Sequence, residues 1–252
     1  ESMKRHEFLY LLLEPFLPAL YGKARRDLRN ELRRHRDDGV LELLDIGDRK
    51  SPYTIDLSVN VTVVELPRES DLQEKLNLGL SEMMLSQIKR TRSNIKSIVL
   101  EDMTKSTLPS NSFDIAVAVE VIEHVPQDEE FVRQIFRVLK PGGLLYITTP
   151  NGDYIKNEPP NFNPDHVRHY TRAQLASLLQ KYFDDVHVTY GVKTGKYRYK
   201  GLRSLRPLRL ETFQVMISNV ISHLESRGLE EQPRRTAHLF ATSRKGTRCN
   251  GN

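Results

Sequence analysis

Two short apolar runs flanking one amphipathic helix constrain this chain more than any other feature. Phe113–Val119 and Leu144–Thr149 are rich in Val, Ile, Ala and Leu. Near-continuous apolar runs of that length suit parallel strands covered on both faces. Between them, Asp128–Leu139 places Phe131, Ile135, Val138 and Leu139 at helical spacing, and Lys140-Pro141-Gly142-Gly143 should end the helix. A parallel crossover of this kind is right-handed in nearly all known cases and implies a doubly wound sheet. Ligands in such sheets sit beyond the carboxyl ends of the strands. Glu120, Val121, Ile122, Glu123 and His124 are thereby expected at one ligand edge, and Thr149, Pro150 and Asn151 at the next.

Further strands read at Val40–Gly47, Ser58–Glu65, Ile98–Leu100, Phe183–Tyr190 and Ala237–Ser243, making seven in all. Residues 3–36 read as helices interrupted by Pro15 or Pro18, with Phe8, Leu9, Leu12, Leu13, Phe16 and Leu17 on one side. The segment 66–95 shows Leu72, Leu76, Leu80, Met83, Met84 and Leu85 at approximate helical spacing, followed by a polar connector, Thr91–Ser97.

Glu65 ends the second strand 20 residues after Asp45. That is where a nucleotide-binding α/β unit places the carboxylate that accepts two ribose hydroxyls. A solvated acid in the Glu-Leu-Pro-Arg turn is the alternative. His124 is a candidate proton acceptor, since an unperturbed imidazole titrates near neutrality. It could instead only cap the following turn. Thr171 is a helix N-cap with Gln174 three residues on, before Ala173–Tyr182.

The string LPSNSFDIAVAVEVIEHV, then a helix, then VLKPGGLLYITTPN, resembles the core of the class I S-adenosylmethionine-dependent methyltransferases acting on small molecules, quinones and glycans. The likeness covers about residues 40–190. It implies a Rossmann-like α/β fold, doubly wound and seven-stranded, mostly parallel with an antiparallel last strand, plus N-terminal helices. It also implies S-adenosylmethionine as cofactor. By resemblance, Asp45 and Gly47 belong to the cofactor loop, Glu65 to the ribose site, Asp102 and Met103 to the adenine site, and Glu120 to the methionine end. Core packing explains Met103 equally well. By the same resemblance His166 borders the acceptor pocket, with His169 and Tyr170 behind it. His166, then His124 and His169, are therefore the candidate catalytic residues; His166, His169 and Tyr170 could instead only hold the loop to the helix. The acids are spread over separate strand ends, so no metal is expected. One departure stands out: the loop Asp45-Ile46-Gly47-Asp48-Arg49-Lys50-Ser51-Pro52 keeps a single glycine, with Arg49 where the family has another. Glycine is used there because the backbone turns sharply against the ligand.

The resulting organisation is an N-terminal helical lid (1–39), a cofactor-binding core (40–190), a basic insertion with a helix at Thr212–Ser226 (191–236), and a last strand with a disordered tail (237–252). Counting along the sequence, residues 1–36 carry 9 Lys/Arg against 5 Asp/Glu, 37–186 carry 16 against 24, and 187–252 carry 13 against 4. An acidic core between basic ends attracts anions, and the run 193–209 (KTGKYRYKGLRSLRPLR) is a candidate anionic-ligand surface. Solvated basic helices are the plainer account. The lone Cys249 excludes an intrachain disulfide framework, and no stretch is long enough for a membrane span, so a cytoplasmic location is expected.

The functional expectation is methyl transfer to the hydroxyl of a small metabolite, sugar or glycan, with a homodimer left open. A non-catalytic scaffold with the same fold is the alternative, favoured by the thinned glycine loop. A nucleic-acid methyltransferase is less favoured, because Glu120-Val121-Ile122-Glu123 stands where amino-directed enzymes carry Asn/Asp-Pro-Pro-aromatic.

Overall fold

The computed structural model describes residues 4–34, 39–47, 51–67, 82–159, 162–195 and 210–247. Its centre is a seven-stranded sheet: β1 Leu41–Ile46, β2 Val59–Glu65, β3 Ile95–Leu100, β4 Phe113–Val119, β5 Leu139–Pro150, β6 Asp185–Lys193 and β7 Thr236–Arg244, in the order β3-β2-β1-β4-β5-β7-β6. β7 runs antiparallel to both neighbours, and the described pairings among β1 to β5 are parallel. The expected doubly wound sheet with an antiparallel last strand is therefore present. Chain order reverses between β1 and β4, the switch point at which such sheets open a crevice at their carboxyl ends.

β1, β2 and β4 are buried along almost their whole length, which explains why their sequences do not alternate. Two cores result, one on each face. On one, helix α4 (Asp128–Val138) seats Phe131, Val132, Ile135 and Val138 against Leu44, Ala116 and Leu145. On the other, α2 (Ala19–Arg34) seats Leu20, Ala24 and Leu28 against Leu41, Leu43, Tyr146 and Phe240. Helix α5 (Arg172–Leu179) begins at the expected capping box: Thr171 accepts from the Gln174 amide, and the Gln174 side chain accepts from the Thr171 amide.

Several expectations are corrected. Helix α3 (Glu82–Thr91) reaches the start of the expected connector, and β3 begins at Ile95, so Ile95–Ser97 belongs to an edge strand rather than to that connector; Leu72, Leu76 and Leu80 lie outside the described residues. α4 ends at Val138, and Leu139 starts β5 directly by pairing with Phe113. Pro141-Gly142-Gly143 is a bulge within β5 between the paired residues Leu139 and Leu144, bonded to the chain after β7 by Gly142 N–H to Lys245 O and Lys245 N–H to Gly143 O. The apolar face proposed for the first helix, α1 (Arg5–Leu13), is not packed: Phe8, Leu9 and Leu12 are 52%, 42% and 59% exposed. The buried residue of α1 is Glu7, which accepts from the Ser93 amide and hydroxyl. Ser93 leads into β3, so α1 starts at the sheet edge opposite the strands' carboxyl ends. The helix expected at Thr212–Ser226 is α6, Leu210–Glu225. Most of the basic run 193–209 and Cys249 lie outside the described residues.

Candidate functional site

The carboxyl ends of β1, β2, β3 and β4 bring the expected cofactor residues to one edge. Gly47 ends β1 with φ +78, and its amide donates to Val64 O at 2.9 Å. A Cβ here would stand 2.7 Å from Val121 Cγ2, so the backbone of β1 passes the turn after β4 with no room for a side chain. Glu65 ends β2, partly buried, and its carbonyl accepts from the Glu101 amide at 3.0 Å. Asp102 is exposed beyond β3; its Oδ1 accepts from the Thr104 amide and hydroxyl, capping a 3-10 turn at Met103–Lys105. Met103 is 4% exposed within the apolar core, so core packing accounts for its side chain.

Asp45 takes a different place. It is fully buried, and its two carboxylate oxygens accept from Tyr53 Oη (3.1 Å) and Thr54 Oγ1 (2.9 Å). Tyr53, Ile55 and Leu57 are buried, so the segment following the loop is folded onto the sheet and Asp45 anchors it. Arg49, on which crowding of the cofactor loop depends, lies outside the described residues.

Glu120 adopts φ +55, a conformation costly for a non-glycine residue. It is held there by β5: its amide donates to Thr148 O at 3.1 Å, and its Oε1 accepts from Thr148 Oγ1 at 3.0 Å. Its Oε2 lies 3.0 Å from His238 Nδ1, out of line for a hydrogen bond.

The three expected histidines come from two segments about forty positions apart, and they meet. The segments are tied by the Val167 amide to Glu123 O (2.8 Å) and by His124 Nδ1 to Asp165 O (2.9 Å). The His124 and His166 rings pack edge to face at 4.7 Å, and His166 Nδ1 lies 2.8 Å from His169 Nε2. His169 Nδ1 in turn donates to Ile155 O at 2.7 Å. Burial, then the neighbouring His124 and His169, pull the His166 imidazole down to about 4. It is neutral near pH 7, with a lone pair available to take a proton.

Glu123, expected at the ligand edge without a role of its own, is fully buried, and burial followed by the Glu120 charge pushes its carboxyl well above the usual range. His238, which the sequence did not single out, is buried at the start of β7. Its signal was an ionisable residue inside an apolar string, Ala-His-Leu-Phe. The acids are spread over separate strand ends as expected, yet one donor atom each from Glu123, His124 and His166 lie within 4.8 Å of one another, a grouping that spread did not suggest.

A parallel sheet with a switch-point crevice, a glycine turn on β1 and acids after β2 and β3 defines the nucleotide-binding class of α/β proteins. More particularly, residues 62–147, about a third of the chain, match the family model of a methyltransferase domain, in line with the resemblance to the class I S-adenosylmethionine-dependent methyltransferases. Among curated relatives, a probable S-adenosylmethionine-dependent methyltransferase of Mycolicibacterium smegmatis is 36% identical over 95 residues, 37% of each chain. The mitochondrial ubiquinone biosynthesis O-methyltransferase of Bos taurus is 45% identical over 60 residues, 24% of this chain and 16% of its own. The aligned stretch spans about a third of the first curated relatives' length. Among solved structures, a phosphoethanolamine N-methyltransferase 2 of Haemonchus contortus in complex with S-adenosyl-L-methionine has a TM-score of 0.53 at 17% identity, covering 82% of this chain and 49% of its own. The [4+2]-cyclase SpnF has a TM-score of 0.54 at 18% identity, covering 89% and 82%. These last two are likenesses of fold. No described helix is long and apolar enough to cross a membrane.

Proposed function

We propose that the chain binds S-adenosylmethionine along the β1–β4 edge and methylates a hydroxyl of a small metabolite, sugar or glycan. The observation that carries this reading is the Gly47 turn, whose close approach to Val121 exposes bare backbone between the Glu65 and Glu120 strand ends. Those residues fit the cofactor. Glu65 suits the ribose hydroxyls, Asp102 retains a second carboxylate oxygen for the adenine amino group, and Gly47 leaves room for the chain between them. The cofactor supplies an electrophilic methyl group on a sulfonium.

The protein's part is alignment and proton removal. The hydrogen bonds from Ile155 O through His169 to His166 orient the His166 ring, and its remaining nitrogen takes the proton of an acceptor hydroxyl. His124, fixed by Asp165 O, borders the same space. Glu120, braced by Thr148, stands between the cofactor edge and this group. Transfer of a labelled methyl group to a panel of hydroxylated sugars and phenols tests the reading. The wild type should label at least one, His166→Ala should lower kcat by about 100-fold, and label appearing only on amines would overturn O-methylation.

A second reading has one observation behind it. Asp45 is engaged by Tyr53 and Thr54 in a segment folded onto the sheet, an arrangement that also suits a binding scaffold.

A further inference from the structure

Glu123 sits fully buried at the turn after β4, with Oε2 accepting from Thr149 Oγ1 at 3.1 Å and Oε1 without a partner. An ionised carboxylate held in this way is costly unless something positive meets the orphan oxygen. Two imidazoles stand beside it, and the hydrogen bonds around them fix their tautomers. A backbone carbonyl only accepts, so Asp165 O requires the proton of His124 on Nδ1 and leaves Nε2 bare. By the same rule Ile155 O places the proton of His169 on Nδ1; with the rings neutral, His169 Nε2 accepts from His166 Nδ1–H, and His166 Nε2 is bare. Both rings therefore turn a lone pair outward while the opposite nitrogen is held from behind, the outer-shell arrangement that orients histidine ligands in metal sites.

We infer that Glu123, His124 and His166 form a site for one borderline divalent cation of the zinc class. Two imidazole nitrogens and one carboxylate oxygen are the donor set such ions favour, and three protein ligands leave at least one position open. The donors lie within 4.8 Å of one another. Around a tetrahedral ion with bonds of about 2.1 Å they would sit about 3.4 Å apart, so the widest pair draws in by up to about 1.4 Å. The Val167–Glu123 backbone bond and the His124–Asp165 bond tie the two segments together beside these donors. His169 is a positioning residue that acts through His166.

The ion's role deepens the acceptor-site reading and rests on it, whereas its binding does not. In the loaded site the His166 lone pair is a ligand and no longer takes the proton; the open position suits an acceptor oxygen, whose proton passes to the neighbouring Glu120 carboxylate. The test is titration of the metal-stripped full chain with Co2+, followed by its visible absorption band and by metal content after gel filtration, with Zn2+ as competitor. One equivalent should bind and be displaced by Zn2+. His124→Ala, His166→Ala and the near-isosteric Glu123→Gln should each abolish the band, with folding checked by circular dichroism. His169→Ala should weaken binding by about 10–100-fold while keeping the stoichiometry. A wild type that retains no ion, or variants that bind as the wild type does, would overturn the site. S-adenosylmethionine titration of the metal-stripped chain reads the methyl-donor proposal separately.

Discussion

Replacing Gly47 with alanine tests the geometry on which cofactor binding depends. The residue sits at φ +78, where an L-residue costs about 1–2 kcal/mol. Its new Cβ would also stand 2.7 Å from Val121 Cγ2 and 3.1 Å from Cγ1. Forcing one carbon into a filled site typically adds about 1–3 kcal/mol. The sum is about 2–5 kcal/mol if the backbone holds. At about 2–4 °C per kcal/mol for a domain of this size, the melting temperature should drop by at least 4 °C or so. Relaxation of the β1 turn would redirect the backbone that faces the cofactor, so S-adenosylmethionine affinity should fall by about tenfold or more. The double variant Gly47→Ala/Val121→Ala separates the two causes. It removes the overlap and keeps the φ cost, and it should recover part of the loss in both thermal melts and calorimetric titration. A Gly47→Ala protein as stable and as tightly binding as the wild type would refute the close approach of β1 to the turn after β4.

Other perturbations follow from the same contacts. Asn151→Ala removes a buried amide that donates to Pro233 O, Thr236 O and Thr236 Oγ1, so chemical denaturation should show a loss of about 2–4 kcal/mol. His166 is depressed to about 4 in the folded chain against about 6.5 unfolded, so the unfolded state binds more protons between those values. Its contribution to stability is complete above pH 6.5 and lost as pH falls toward 4, and His166→Asn should flatten that part of the melting-temperature profile. Thr148→Val removes the hydroxyl that braces Glu120; methyl-transfer kcat should fall by about tenfold with the fold intact by circular dichroism.

Much of this was legible in the sequence where one physical cause dominates. Phe113–Val119 reads as a strand, and forms one with the same bounds, because burial on both faces leaves an unbroken apolar run. Thr171 and Gln174 announce their helix because the capping box is a local device. What failed depended on distant partners. Ile95–Ser97 looks like a connector because an edge strand tolerates Lys96 and Ser97, and only pairing with β2 reveals it. The Pro141-Gly142-Gly143 break marks a bulge whose amide and carbonyl are satisfied by Lys245, about a hundred positions later. The apolar residues of α1 follow a helical period, yet its anchor is the polar Glu7 reaching Ser93. Each histidine was individually suggestive, but their meeting with Glu123 follows from the β4 and β5 ends being neighbours. Asp45 shows the reverse case, a motif residue whose carboxylate is occupied by Tyr53 and Thr54.

Calorimetric titration of the wild type and of Glu65→Ala with S-adenosylmethionine and its demethylated product tests the central claim most directly. The wild type should bind both ligands at one site with micromolar affinity, and the variant should lose about 10–100-fold through the missing ribose hydrogen bonds. No binding by the wild type, or equal binding by the variant, would contradict the placement of the methyl donor on this edge.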